Sequence, residues 1–452
     1  MYYYASVSMK PLIAMLLAAA SVTLYAQAPG AIALRGARVV TVSGPVLEKG
    51  TVLLRNGLIE AVGENVDLPK DAWVIDGQGI TVYPGLIDAL STVGLPETSA
   101  TPTPARTPAA PTFGPQGPVE PLEQGPQFRP FTTTWIRAAD LLNPADSRIE
   151  VTRSAGFTSV AAFPSSGIFA GEGAFLNLSG EKQGRMVVAS PVGQYATLSS
   201  RGFGTYPGSL MGVIAYIRQV SLDADHYQLE MQAYASHPAG HKRPNYDRAV
   251  EGLLESPRLL LPAGNAVQID RMLHFAAELK RPAVLYGGHA AYAVADKVAQ
   301  SKVPLLIDLK WPERSKDADP DQRDSMRTLE LRDRAPSGPA ALEKAGARFA
   351  FYSGGTAAKD IRKAVKRAID AGLPEAAAVR ALTLSAAEIY GVANRVGSIE
   401  PGKIANLLVV KGNLFDEKTK IEYVFIDGVK YEPAPEAPPG ERGGRTEPGG
   451  LE

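Results

Sequence analysis

From Phe157 onward the chain alternates short apolar runs rich in β-branched residues with longer stretches whose apolar positions recur at helical spacing. The runs Ser159–Phe163, Arg258–Leu261, Ala283–Tyr286, Val303–Asp308 and Arg348–Tyr352 read as strands. Between and after them, Val267–Leu279, Tyr292–Gln300, Ala357–Ala371 and Glu375–Tyr390 read as helices. Strand and helix in alternation predict a parallel sheet covered by helices. The two ends have another texture. Arg38–Val42, Val52–Leu54 and Leu58–Val62 are strand-like, and Asn56-Gly57 between the last two supplies the positive φ angles of a type I′ hairpin. Ala405–Val410 and Tyr423–Ile426, the latter followed by Asp427-Gly428, repeat that texture at the far end. Either set alone would leave strand edges unpaired, so one sheet domain completed by both ends is expected.

Two segments break the patterning. Pro96–Pro130 is rich in proline and small residues and reads as an extended loop or flap; Glu432–Glu452 reads as a solvated tail. Near the start, Lys10 precedes the apolar run Leu12–Ala20, and Ala26-Gln27-Ala28 offers a small-x-small cleavage site. This is the form of a secretory signal, and the run is short of the roughly 20 apolar residues a membrane span needs. The expected mature protein is exported, periplasmic or extracellular, with no membrane span after signal removal. Lys+Arg and Asp+Glu are equal at 47 each, and no basic stripe accompanies them, so nucleic acid is not an expected partner. With no cysteine, disulfides and thiolate metal sites are excluded.

Four motifs, in order, resemble one family. Val82–Thr92 (Val-Tyr-Pro-Gly-Leu-Ile-Asp-Ala-Leu-Ser-Thr) is similar to the first barrel strand of the amidohydrolase superfamily, Pro-Gly-hydrophobic-Ile-Asp-small-His-x-His. Ala155–Val160 resembles its A-G-(V/I)-T-(S/T)-V strand start, Ala381–Ala387 its A-L-T-x-x-P-A helix, and Gly397–Val409 its return strand G-S-(I/L)-E-x-G-K-x-A-D-L-V-V. The wording is nearest to the exported imidazolonepropionase-like branch. The resemblance implies an α/β fold: a (β/α)8 TIM-type barrel with its site at the C-terminal strand ends, plus a small β-sandwich formed by both ends of the chain. The expected division is a signal peptide at 1–28, sandwich at 29–84 and 396–432, barrel at 85–395 with the insertion 96–130, and a tail at 433–452.

In active members of that family the two histidines and a late aspartate bind a divalent metal that polarises water and a C–N carbonyl. Here Leu90 and Thr92 stand at the histidine positions, Pro262-Ala263-Gly264 where a His or Lys ligand is common, and Ser353-Gly354-Gly355 where the aspartate would sit. Leu has no lone pair to donate and a neutral Thr hydroxyl is a poor zinc ligand. The remaining strand-end donors are His289 and Asp308, two where a catalytic zinc takes three; Glu172, Glu313 and Asp317 are the available third ligands. The plain alternatives are a hydrogen-bonded strand-end histidine and a turn cap. His274 falls on a solvated helix face, His226 on an exposed helix beside Asp225, and His237-Pro-Ala-Gly-His241 lacks both the glutamate and the helix of a zincin pair.

The expectation is therefore a member of this family without the usual metal ligands. It would have no catalytic residues and no resident cofactor, and would bind a small molecule or serve as a partner subunit. It would be a homo-oligomer or pair with an intact, active amidohydrolase. The competing expectation is an atypical hydrolase of amide or cyclic amide C–N bonds that holds a divalent metal such as zinc with His289, Asp308 and a loop residue.

Overall fold

The structure, a computed structural model, describes residues 30–96, 129–180, 182–200, 206–315, 317–319, 321 and 323–433. Residues 1–29, where a signal is expected, nearly all of the proline-rich insertion and all but the first residues of the tail lie outside these residues. No described helix is long and apolar enough to cross a membrane.

Five strands open the described chain: β1 (Ala31–Val39), β2 (Leu47–Arg55), β3 (Leu58–Gly63), β4 (Ala72–Asp76) and β5 (Ile80–Pro84). β2 and β3 are joined by Asn56-Gly57 with φ of 52° and 80°, the two-residue hairpin expected from the dipeptide. Ten strands follow in the middle of the chain: β6 (Leu86–Ser91), β7 (Phe157–Ala162), β8 (Phe169–Glu172), β9 (Ala174–Asn177), β10 (Val187–Ala189), β11 (Gln194–Ala196), β12 (Leu259–Ala263), β13 (Ala283–Gly287), β14 (Leu305–Asp308) and β15 (Phe349–Tyr352). The last three are β16 (Leu407–Lys411), β17 (Lys420–Ile426) and β18 (Val429–Tyr431).

Both ends of the chain share one eight-stranded sheet in the order β18-β17-β16-β5-β1-β2-β3, with β4 also on β1; the antiparallel β16–β5 pair is the junction. Each end thus covers an edge of the other. The turns Asn56-Gly57 and Asp427-Gly428 meet there, tied by the Ala405 N–H to the Gly57 carbonyl and the Gly428 N–H to the Ala405 carbonyl.

The middle strands form two further sheets, β10-β9-β7-β6 and β15-β14-β13-β12-β11-β8. The pairs β6–β7, β11–β12, β12–β13, β13–β14 and β14–β15 are parallel, as the strand–helix alternation predicts. The sheets meet at two seams. At one, Gly173 and Val192–Gly193 exchange backbone hydrogen bonds; at the other, the Ser353 N–H donates to the Asp88 carboxylate.

These strands are buried on both faces, and alternate residues divide between two cores. Leu259 and Leu261, Leu305 and Ile307, Phe349 and Phe351 pack in the large cluster that includes helical residues such as Ile269, Leu273 and Val365. The intervening Leu260, Leu306 and Ala350 join Ile87, Ala161 and Val284 in a second cluster, closed by Tyr390 and Val392.

The helices differ from their sequence outlines at identifiable points. Ala266–Leu279 starts at Asn265, whose side chain and Gln268 form a reciprocal capping box. Tyr292–Gln300 resolves into a 3-10 turn at Ala291–Ala293 and a helix at Ala295–Ser301, and Ala357–Ala371 into a 3-10 turn at Ala358–Asp360 and a helix at Ile361–Asp370. Glu375–Tyr390 is two helices, Glu375–Ala381 and Leu384–Tyr390. The break has a tertiary cause: the Leu382 carbonyl accepts the Ile87 N–H of β6, and the Thr383 hydroxyl donates back to the Val379 carbonyl. A 27-residue helix, Leu210–Ser236, carries His226.

Candidate functional site

A cavity of about 470 Å³ lies at the C-terminal ends of β6, β7 and β15. Strand alternation supplies its walls. Tyr352 is the inward residue two places after Ala350, and Tyr286 stands two after Val284. Tyr195 of β11 stacks on Tyr286 with ring centroids 5.0 Å apart, and Phe163, just past β7, lies 6.0 Å from Tyr195. All four line the cavity, as do Asp88, Leu90, Thr92, Arg148, Ser165 and Ser353.

Asp88 is 3% exposed. Its carboxylate accepts the backbone N–H of Ser353 at 2.9 Å and of Leu90 at 3.5 Å, and takes the Ser353 and Ser91 hydroxyls. Burial pushes its pKa up to about 6, against those hydrogen bonds. Arg148 is held by Asp146, which accepts from Nη2 at 2.7 Å and from Nε at 2.9 Å; Thr92 Oγ1 and the Leu95 carbonyl also accept from it. The tyrosine hydroxyls are engaged elsewhere. That of Tyr286 donates to the Ala196 carbonyl at 3.0 Å, that of Tyr390 to the Ala89 carbonyl at 2.5 Å, and that of Tyr352 bonds the Asp308 carboxylate. Burial raises the pKa of each.

His289 and Asp308 come together, with Nε2 4.0 Å from Oδ2. Burial lowers the pKa of His289 and raises that of Asp308, and each charge would partly offset the other. Asp308 Oδ1 accepts the Lys310 N–H at 2.7 Å, the turn cap foreseen as its structural role. His289 packs near Trp311, and its buried Nε2 has no hydrogen-bond partner. The pair sits behind Tyr352 and Gly354 rather than in the cavity lining.

None of the proposed third ligands joins them. Glu172 is the cross-strand partner of Gln194, which pairs with the first residue of β12; it therefore lies at the opposite end of the sheet from His289. There it accepts from Arg137 at 3.1 Å. Glu313 is bound by Arg367 and Asp317 is exposed. Among the described residues no three His, Asp or Glu side chains converge on a point where a metal could sit. The donors present do not fit a hydrolytic divalent ion. The other histidines are dispersed: His226 pairs with Glu230, His274 bonds the Asp270 carbonyl, and His237 and His241 are exposed.

Sequence reasoning passed over Asp88 and the aromatic walls. Tyr286 and Tyr352 were visible at inward strand positions, but only knowledge of which face turns inward distinguishes them from core. Tyr195 lies on a strand of three residues, Gln194–Ala196, too short to show a period.

A model of the Amidohydrolase family matches residues 296–430. An adenine deaminase from Moorella thermoacetica is 39% identical over 64 residues, 14% of this chain and 10% of that protein, so the match spans about a tenth of the relative. A solved amidohydrolase from Thermotoga maritima MSB8 has a TM-score of 0.71 at 26% identity, over 89% of this chain and 100% of that one. A prolidase complexed with N-methylphosphonate-L-proline shares the fold, with a TM-score of 0.52, 17% identity, and 89% and 99% coverage. The chain thus matches the Amidohydrolase family model over residues 296–430 and shares the fold of a solved amidohydrolase across nearly its whole length.

Proposed function

We propose that this chain is a non-hydrolytic member of the superfamily that binds a small molecule in the cavity at the strand ends. One observation carries the reading: Leu90, Thr92 and the segment Ser353-Gly354-Gly355, which stand where the resemblance places metal ligands, line the cavity here. A cavity of about 470 Å³ with mixed aromatic and hydroxyl walls falls within the range of ordinary ligand pockets. Within this reading, the two middle sheets are the halves of a (β/α)8 barrel. The interior cluster drawn from successive strands and the two seams support that closure. The sheet shared by 29–84 and 396–432 is the small β-sandwich, and the motif wording favours the exported imidazolonepropionase-like branch. The protein works outside the cytoplasm, as a homo-oligomer or beside an active amidohydrolase.

A second reading has its own support: the partnerless His289 Nε2, 4.0 Å from Asp308 Oδ2, could become part of a metal site if a further ligand approached. It makes the chain a hydrolase of amide or cyclic amide C–N bonds. Metal analysis of the full chain separates the two. The first expects less than stoichiometric divalent ion and no turnover of N-acyl amino acids, dipeptides or cyclic imides with added zinc. A stoichiometric ion lost together with hydrolysis in His289→Ala would overturn it.

A further inference from the structure

The charge and the walls of the cavity together say what it would accept. Among the described residues, Asp88 and Arg148 are its only lining residues of types charged at neutral pH. Arg148 is neutralised in place by the two-toothed contact with Asp146. Asp88 has no such counter-charge; the groups that bond it are the neutral Ser353, Leu90 and Ser91. A carboxylate held in a largely apolar enclosure is costly unless a cation offsets it. Around it stand Phe163, Tyr195, Tyr286 and Tyr352, whose ring faces carry partial negative charge. The Tyr286 hydroxyl is engaged by the Ala196 carbonyl and by Tyr195, and that of Tyr352 by Asp308, so these two residues contribute ring rather than hydroxyl to its wall.

We propose that the cavity receives a monovalent organic cation, an ammonium or alkylated nitrogen head seated among these four rings with Asp88 as its counter-charge. The proposal rests on the reading of the cavity as a small-molecule site and names the class of ligand. A divalent metal ion fits poorly, because it needs several oxygen or nitrogen donors and the cavity offers one carboxylate. An anion would face Asp88 across the rings. A cation gains from both the quadrupoles and the carboxylate, and aromatic enclosures recognise quaternary ammonium groups in this way.

The test uses the full chain, isothermal titration, and two probes of nearly identical shape: choline and its uncharged carbon isostere 3,3-dimethyl-1-butanol. Choline is expected to bind about tenfold or more tightly than the alcohol, given the usual strength of desolvated cation–ring contacts. Asp88→Asn should remove that preference. Tyr286→Leu, which leaves the carboxylate in place, should reduce it severalfold and serves if Asp88→Asn does not fold. Equal binding of both probes, or tighter binding of the alcohol, would overturn the cation inference while leaving the small-molecule site standing. Binding of neither would also overturn the cation inference. Zinc-dependent hydrolysis would instead strike at the non-hydrolytic reading beneath it.

Discussion

Gly354 shows how tightly a single position is specified beside the cavity. It has φ of +57°, and a Cβ placed on it would collide with the Asp308 carboxylate. Gly354→Ala must therefore displace the carboxylate and strain the backbone. Urea unfolding should show a loss of about 2–4 kcal/mol, of which Gly354→Ala/Asp308→Ala recovers only the part due to the collision, since the strain at positive φ remains. Asp88 gives a pH signature. Its folded pKa, about 6, lies above the ordinary 3.8, so the folded state holds the proton more tightly than the unfolded chain. The resulting stabilisation is complete below about pH 3.8 and is lost as pH rises through about 6. Compared with wild type, Asp88→Asn should gain about 2.4 kcal/mol between pH 4 and pH 7. A flat difference in chemical denaturation across that range would count against the buried, proton-retaining carboxylate.

Among the elements, the seam between the terminal sheet and the middle strands relies on a few polar side chains. Asn177 at the end of β9 accepts from Ser159 at 3.0 Å and Asn406 at 2.9 Å, and donates to the Asp427 carboxylate at 2.8 Å. Asn406, where the resemblance has aspartate, also accepts the Asp427 N–H at 3.0 Å. Asn177→Ala leaves several of these groups short of a partner and should cost about 2–4 kcal/mol. Hydrogen exchange should show β17 and β18 losing protection before β12–β14. Asn406→Asp should be worse at neutral pH than at pH 4, because a carboxylate cannot donate to Asn177 and would sit near Asp427; equal melting temperatures at both would refute this.

Across the whole molecule, the sheet built from both ends joins the first and last described strands, so stability should be shared by regions distant in sequence. Truncation after Val396 would remove β16–β18 and expose the edge of β5 that pairs with β16. The shortened chain should fail to fold cooperatively and should aggregate, as unpaired strand edges do. A soluble, two-state truncated protein would show that the middle strands stand alone.

The local pattern determined a good deal. The β-branched runs, the helical periods and the Asn56-Gly57 and Asp427-Gly428 turns act through their own backbones, and the strands and hairpins appear where those residues place them. That Leu90, Thr92 and Ser353-Gly354-Gly355 stand where the resemblance has metal ligands was legible for the same reason, since residue identity needs no folding to be read. Tertiary structure decided the rest. The short strands β8–β11 form only because neighbours pair with them, and the helix break at Leu382 exists because Ile87 claims its carbonyl. Likewise, Asp88 and three tyrosines from different strands share a cavity only after the sheet has turned one face inward. Period-two alternation makes two faces distinct; only packing chooses which one becomes the interior.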